Sequence, residues 1–165
     1  MYTENVRPPV FLMIDSDKAN CALIQQAFMT SAVASKLVVV NDDQMLIQYL
    51  AGQEEYANRV AFPMPSIILL ALGIGNTSKV ANCLSWLKGT TATRRLPVVI
   101  LASVKNEEQM NQFYASGAAG YIIRPRLFSE LLPMIYSLDD YWSHCARPGS
   151  TQLLLAIDIA NLLGE

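Results

Sequence analysis

"SIILLAL", residues 66–72, decides how the rest of the chain is read. It is short, continuous and apolar, with β-branched residues leading. Such a run suits a strand buried on both faces, and a strand covered on both sides belongs to a parallel sheet. Working outward, similar runs recur. "VFLMI" (Val10–Ile14) follows Pro8-Pro9, and "LVVV" occupies Leu37–Val40. "LPVVILA" (Leu96–Ala102) and "GYII" (Gly120–Ile123) follow later. These five runs predict five strands.

Between them the apolar spacing changes from continuous to helical. Cys21, Leu23, Ile24, Ala27 and Phe28 predict a helix over residues 17–30, with Ser16 or Asp17 as its N-cap. Met45, Leu46, Tyr49 and Leu50 fall on one helical face between Asp42 and Ala51. Val80 to Lys88 is predicted as a third helix through Leu84 and Leu87. Asn106, with Gln109 three residues on, forms a capping-box pattern, and Gly117 ends the helix that follows. A last long helix is predicted from about Leu127 to His144. The polar stretch "GQEEYANRVAFPMP" reads as a loop.

Strands alternating with helices predict an α/β fold with a doubly wound five-stranded parallel sheet. Functional groups then belong at the carboxyl ends of the strands. Three segments are expected: an N-terminal extension over 1–8, a domain over 9–146, and a C-terminal extension over 147–165. "RPGS" (Arg147–Ser150) breaks the last helix, and "TQLLLAIDIANLLGE" beyond it can form one more apolar helix.

Composition narrows the function. Of 165 residues, 52% are apolar and only 16% charged, with net charge −2. No Lys/Arg cluster offers a footprint to nucleic acid. No apolar run approaches the roughly 18 residues of a membrane span. The N-terminus lacks a signal-peptide core, so a cytoplasmic protein is expected. Cys21, Cys83 and Cys145 have no metal-ligand spacing and read as small buried hydrophobes. His144, the one histidine, reads as solvated or structural, and Trp86 and Trp142 as packing groups.

The strand-end residues carry a resemblance. "PPVFLMID", the insertion "GQEEYANRVAFPMPSIILL", "LPVVILAS", "GYIIRP" and the aromatic "DDYW" occur in an order similar to the response-regulator receiver (chemotaxis-receiver-like) family, over roughly residues 9–142. The likeness is greatest to single-domain receivers that partner bacterial phytochromes and related sensor kinases. It implies a flavodoxin-like fold with strand order 2-1-3-4-5, here with an extra C-terminal helix, and a role in two-component signalling.

The resemblance also implies a chemistry that this chain departs from. The family's phosphate-accepting Asp ends the third strand, and that position falls on Ala71. Its metal-holding acid pair falls on Asp15 and Ser16. Its hydroxyl position falls on Ala102, with Ser103 beside it. Its Lys position falls on Arg124, before the retained Pro125, and Tyr121 keeps the switch aromatic. An alanine cannot form an acyl phosphate, and Mg²⁺ loses a central oxygen ligand. No cofactor is therefore expected, and Asp15 and Asp17 are at most a weak metal site. Asp15 reads either as a polar group at the helix start or as an ion-pair partner of Arg124. Tyr121 reads either as a switch or as a half-buried strand aromatic.

A degenerate pseudo-receiver, not an enzyme, is thus expected to act by binding protein. The partner is expected to be a sensor histidine kinase or related signalling protein, and a homodimer is also expected. The interface would use Met110, Phe113, Tyr114, Leu131 and Ile135 on the face formed by the fourth helix, fifth strand and fifth helix. Two alternatives remain. One is a conventional phosphorelay receiver with a substitute acceptor such as Ser78 or Ser103. The other is a flavin or small-ligand protein, suggested by "GIGNTS" (Gly73–Ser78), which resembles a flavodoxin phosphate loop in the wrong place.

Overall fold

The computed structural model describes residues 7–73 and 75–145. The expected helix over 147–165, and most of the extension over 1–8, lie outside the described residues. Five strands alternate with five helices: β1 (Val10–Ile14), α1 (Lys18–Ser31), β2 (Lys36–Val40), α2 (Asp43–Ala51), β3 (Ile67–Leu72), α3 (Thr77–Gly89), β4 (Val98–Ala102), α4 (Glu107–Ala115), β5 (Gly120–Ile123) and α5 (Phe128–His144). All pairings are parallel, in the order β2-β1-β3-β4-β5. The doubly wound sheet is as the sequence predicts.

Alternation along each strand sends successive side chains to opposite faces. Leu12, Ile68, Leu70, Val98 and Ile100 pack beneath α2, α3 and α4. Phe11, Met13, Ile67, Leu69, Val99 and Leu101 pack against α1 and α5. Both layers are buried beneath helices, which is why the strands read as unbroken apolar runs.

The helix ends follow from local chemistry. Asp17 caps α1, its carboxylate accepting N–H bonds from Ala19 and Asn20 at 3.0 and 3.2 Å. Asp42 caps α2 through the Met45 N–H at 2.8 Å. Gly117, at φ 102°, closes α4. Its N–H donates to the Tyr114 carbonyl and that of Ala118 to Phe113, a Schellman ending.

The stretch after α2 is more ordered than a plain loop. It holds a short 3-10 turn over Glu54–Ala57 and an aromatic cluster of Tyr49, Tyr56 and Phe62. Arg59 donates to the carbonyls of Tyr49 and Leu50, both at 2.7 Å, and so satisfies the free end of α2.

Candidate functional site

Strand order reverses between β1 and β3, and the strands' carboxyl ends open into a crevice there. Two adjoining clefts fill it, sharing Asp15, Ser16, Ala71 and Asn76. The first, about 340 Å³, runs toward α2 and α3 over an apolar floor that includes Leu70, Val80 and Cys83. The second, about 460 Å³, runs toward β5 and is lined by Asn20, Ser103 and Arg124.

Asp15 stands between them. Its N–H donates to the Val40 carbonyl at 3.1 Å, which continues the β1–β2 ladder. Its carboxylate accepts the Asp17 N–H at 2.9 Å. Burial raises its pKa above the ordinary 3.8. The Asp17 N–H opposes that rise, the Asp17 charge adds to it, and Arg124 opposes it least of all.

The weak influence of Arg124 has a geometric cause. No Arg124–Asp15 ion pair forms. The guanidinium instead donates to the Asn20 Oδ1 at 2.9 Å, in the first turn of α1. Asn20 is the third residue of α1, and nothing in the sequence marked it as the partner of Arg124.

The hydroxyl also differs from expectation. Ala102 is only 1% exposed and packs in the α2–α4 core. Ser103, one residue on, lines the second cleft. Its N–H donates to the Leu72 carbonyl at 3.0 Å, which continues the β3–β4 ladder by one rung.

Asn76 entered the sequence reading only as part of "GIGNTS". It occupies the N-cap position of α3 but does not cap the helix through its side chain. Its Oδ1 accepts the Gly73 N–H at 2.9 Å, and its Nδ2 donates to the Ala71 carbonyl at 3.1 Å. The loop after β3 is therefore tied back onto the strand it leaves. Tyr121 is half-buried, its ring 6.4 Å from that of Phe113 and its hydroxyl 3.5 Å from the Val104 carbonyl.

A hard cation such as Mg²⁺ wants several oxygen ligands. The crevice offers the Asp15 carboxylate, already bonded to an N–H, while Asp17 is turned to cap α1 and Ala71 has no side-chain oxygen. Among the described residues no group of three or more His, Cys, Asp or Glu is placed to hold a metal. The donor set does not fit the ion.

The expected interface needs correction. Phe113 is 3% exposed, and Leu131 and Ile135 are fully buried against the chain's own sheet. Their i, i+4 spacing is the inner stripe of a helix, not its outer one. Met110 is half-buried and Tyr114 is 46% exposed. Around them the structure exposes three apolar residues the sequence did not mark: Val104, Ile123 and Leu127.

Fold and crevice together define a receiver of the response-regulator kind. No family model matches the chain. It is 28% identical to the response regulator Rcp1 of Synechocystis over 142 residues, covering 86% of this chain and 94% of Rcp1. Among solved structures it is similar to the phosphorylated cyanobacterial phytochrome response regulator RcpA, with TM-score 0.68, 27% identity, and 87% of this chain and 99% of that one covered. The fold also matches the response regulator RPA3017 of red-light signalling in R. palustris, with TM-score 0.74, 21% identity, and 86% and 99% covered. The chain is thus a receiver related to phytochrome response regulators, and its relatives are signalling proteins by name.

Among the described residues no helix is long and apolar enough to cross a membrane.

Proposed function

We propose that this receiver is not phosphorylated at the usual strand-end position and signals by binding protein. One observation carries the reading: at the carboxyl end of β3, in the wall shared by both clefts, stands the methyl group of Ala71. A methyl group offers a phosphoryl group no nucleophile. Ser16 beside Asp15 removes a second carboxylate, and Arg124 is held by Asn20.

The contact surface is the α4–β5 edge. Val104, Tyr114, Ile123 and Leu127 are each more than 40% exposed there, in a chain with little charge. Exposed apolar groups gathered on neighbouring elements mark contact sites. A sensor kinase, a related signalling protein or a second copy of this chain would use this edge.

The test is intact mass after incubation with acetyl phosphate and Mg²⁺. Wild type is expected to gain nothing. The Ser16→Asp, Ala71→Asp variant, with both oxygen donors restored, is expected to gain one phosphoryl group. A stable adduct on wild type, at Ser103, Ser78 or elsewhere, would overturn the proposal. Light scattering at micromolar concentration tests the dimer, and a monomeric mass rejects it.

A further inference from the structure

We infer that the hydrogen bond between Gln109 and Thr77 is a latch that holds α4, and with it the Tyr121 surface, in one position without any phosphoryl group. The inference rests on the reading above, in which no phosphate arrives to do this work.

The argument begins with a side chain in an unexpected place. Gln109 is the third residue of α4, three after the Asn106 cap. From there a glutamine ordinarily reaches back to the N–H of its own cap residue. Only half of that box forms: Asn106 accepts the Gln109 N–H at 3.0 Å. The Gln109 amide instead crosses to α3 and donates to the Thr77 Oγ1 at 3.2 Å, 32 residues away in sequence.

Asn76, next to Thr77, behaves the same way. It leaves the start of α3 uncapped and bonds the backbone of Ala71 and Gly73. Two side chains that would serve their own helices thus serve other segments: Asn76 the loop at the crevice, Gln109 the neighbouring helix α3.

Hydrogen bonds, chain neighbours and one ring contact follow each other in series. Ala71 and Gly73 are tied to Asn76, and Thr77 follows it directly. Thr77 is tied to Gln109 on α4. One helical turn on, Phe113 packs against Tyr121, whose hydroxyl returns to the loop before α4 at Val104. The end of β3 and the apolar edge around Tyr121 are therefore joined by contacts in the resting chain.

Contiguity alone does not prove coupling, so the test reads coupling directly. Hydrogen exchange of amides 110–116 in α4 is followed on the full chain with Gln109→Ala, Thr77→Val, both together, and Thr77→Ser. Alanine is the better helix former, so a Gln109 that merely decorates the surface predicts unchanged or slower exchange in Gln109→Ala. The latch predicts the opposite sign, exchange faster by roughly two- to tenfold, the worth of one hydrogen bond. Thr77→Val is expected to speed the same α4 amides, although it lies in another helix. The double variant should add nothing further, and Thr77→Ser should restore protection.

Unchanged or slower α4 exchange in Gln109→Ala, or a Thr77→Val effect confined to α3, would overturn the latch. Intact mass on the same samples after acetyl phosphate separates the two claims. A phosphoryl adduct removes the phosphate-free reading while the exchange rates still judge the Thr77–Gln109 bond. Flat exchange removes the latch and leaves that reading standing.

Discussion

Arg124, at the end of β5, donates a 2.9 Å hydrogen bond to Asn20 in the first turn of α1 and so bridges the second cleft. Asp15 lies in the same cleft, yet its carboxylate is bonded to the Asp17 N–H and not to this cation. A charge-assisted bond in a half-buried place contributes about 1–2 kcal/mol. Arg124→Ala and Asn20→Ala should each lower the unfolding free energy by about that much, and the double variant by no more than either alone. Urea denaturation of the four proteins checks this. Losses that simply add would show that the bond contributes nothing.

Asp15 itself carries a penalty. Burial raises its pKa above 3.8, so the folded state holds the proton more tightly than the unfolded chain. The penalty is absent below the unfolded pKa and is complete once pH passes the folded value. Asp15→Asn keeps an oxygen for the Asp17 N–H and removes the charge. Its Tm should exceed that of wild type at pH 7, and the gap should close as pH falls toward 4. A variant less stable than wild type at pH 7 would contradict this account.

Arg59 is expected to matter more than any other charged residue outside the crevice. Its two 2.7 Å bonds reach the last carbonyls of α2: that of Leu50, and that of Tyr49, which also accepts the Gly52 N–H at 3.1 Å. Its loss removes the bond to the Leu50 carbonyl beside the Tyr49–Tyr56–Phe62 cluster. Arg59→Ala should cost about 2–3 kcal/mol. Arg59→Lys should not restore it, because one ammonium cannot reproduce the planar fork. Chemical denaturation distinguishes the three proteins, and full rescue by lysine would refute the clamp.

The two sides of the α4–α5 region should separate cleanly. Leu131 is fully buried, so Leu131→Ala should destabilise the chain by about 3 kcal/mol. Tyr114 is 46% exposed, and Tyr114→Ala should leave stability within about 0.5 kcal/mol while weakening any partner or dimer contact on that edge. Thermal unfolding and light scattering read the two effects. A stability loss for Tyr114→Ala as large as that for Leu131→Ala would remove this residue from the proposed surface.

The cysteines provide a chemical check on burial. Burial pushes the Cys21 thiol up to about 11 and the Cys83 thiol up to about 12. The thiolate is the reactive form. Iodoacetamide at pH 8 should label the half-exposed Cys145 first and leave Cys21 and Cys83 unmodified until the chain unfolds. Peptide mass mapping over time reads the order. Early labelling of Cys83 would mean that the floor of the first cleft opens in solution.

The strands were legible because burial on both faces leaves nothing but apolar residues, as in Ile67–Leu70. The caps were legible at Asp17 and Asn106, where one polar side chain acts within its own helix turn. What escaped were bonds between distant segments. Nothing local in "GIGNTS" reveals that Asn76 turns back to Ala71. Nothing in the polar run after α2 announces that Arg59 serves the helix before it, although Tyr56 and Phe62 around it hint at a packed segment. Phe113, Leu131 and Ile135 were assigned to a surface because an apolar stripe shows that a helix is amphipathic without showing which neighbour it meets. Ala102 faces the core and Ser103 the cleft for a related reason. At a strand end the alternation of sides stops being regular, and one residue decides between core and cleft.

The packing of α5 on α1 also bears on how the chain is made. Ser35, at the threshold of β2, bonds Asp139 near the far end of α5, 104 residues later. Cys21, Ile24 and Phe28 share one core layer with Leu131, Ile135 and Leu138. On a ribosome, that side of the sheet has only α1 to cover it until nearly the whole domain has emerged. An interrupted product ending before Leu131 would display Phe11, Met13 and their neighbours to water, and would be a substrate for chaperones and proteases before it could become a competing receiver.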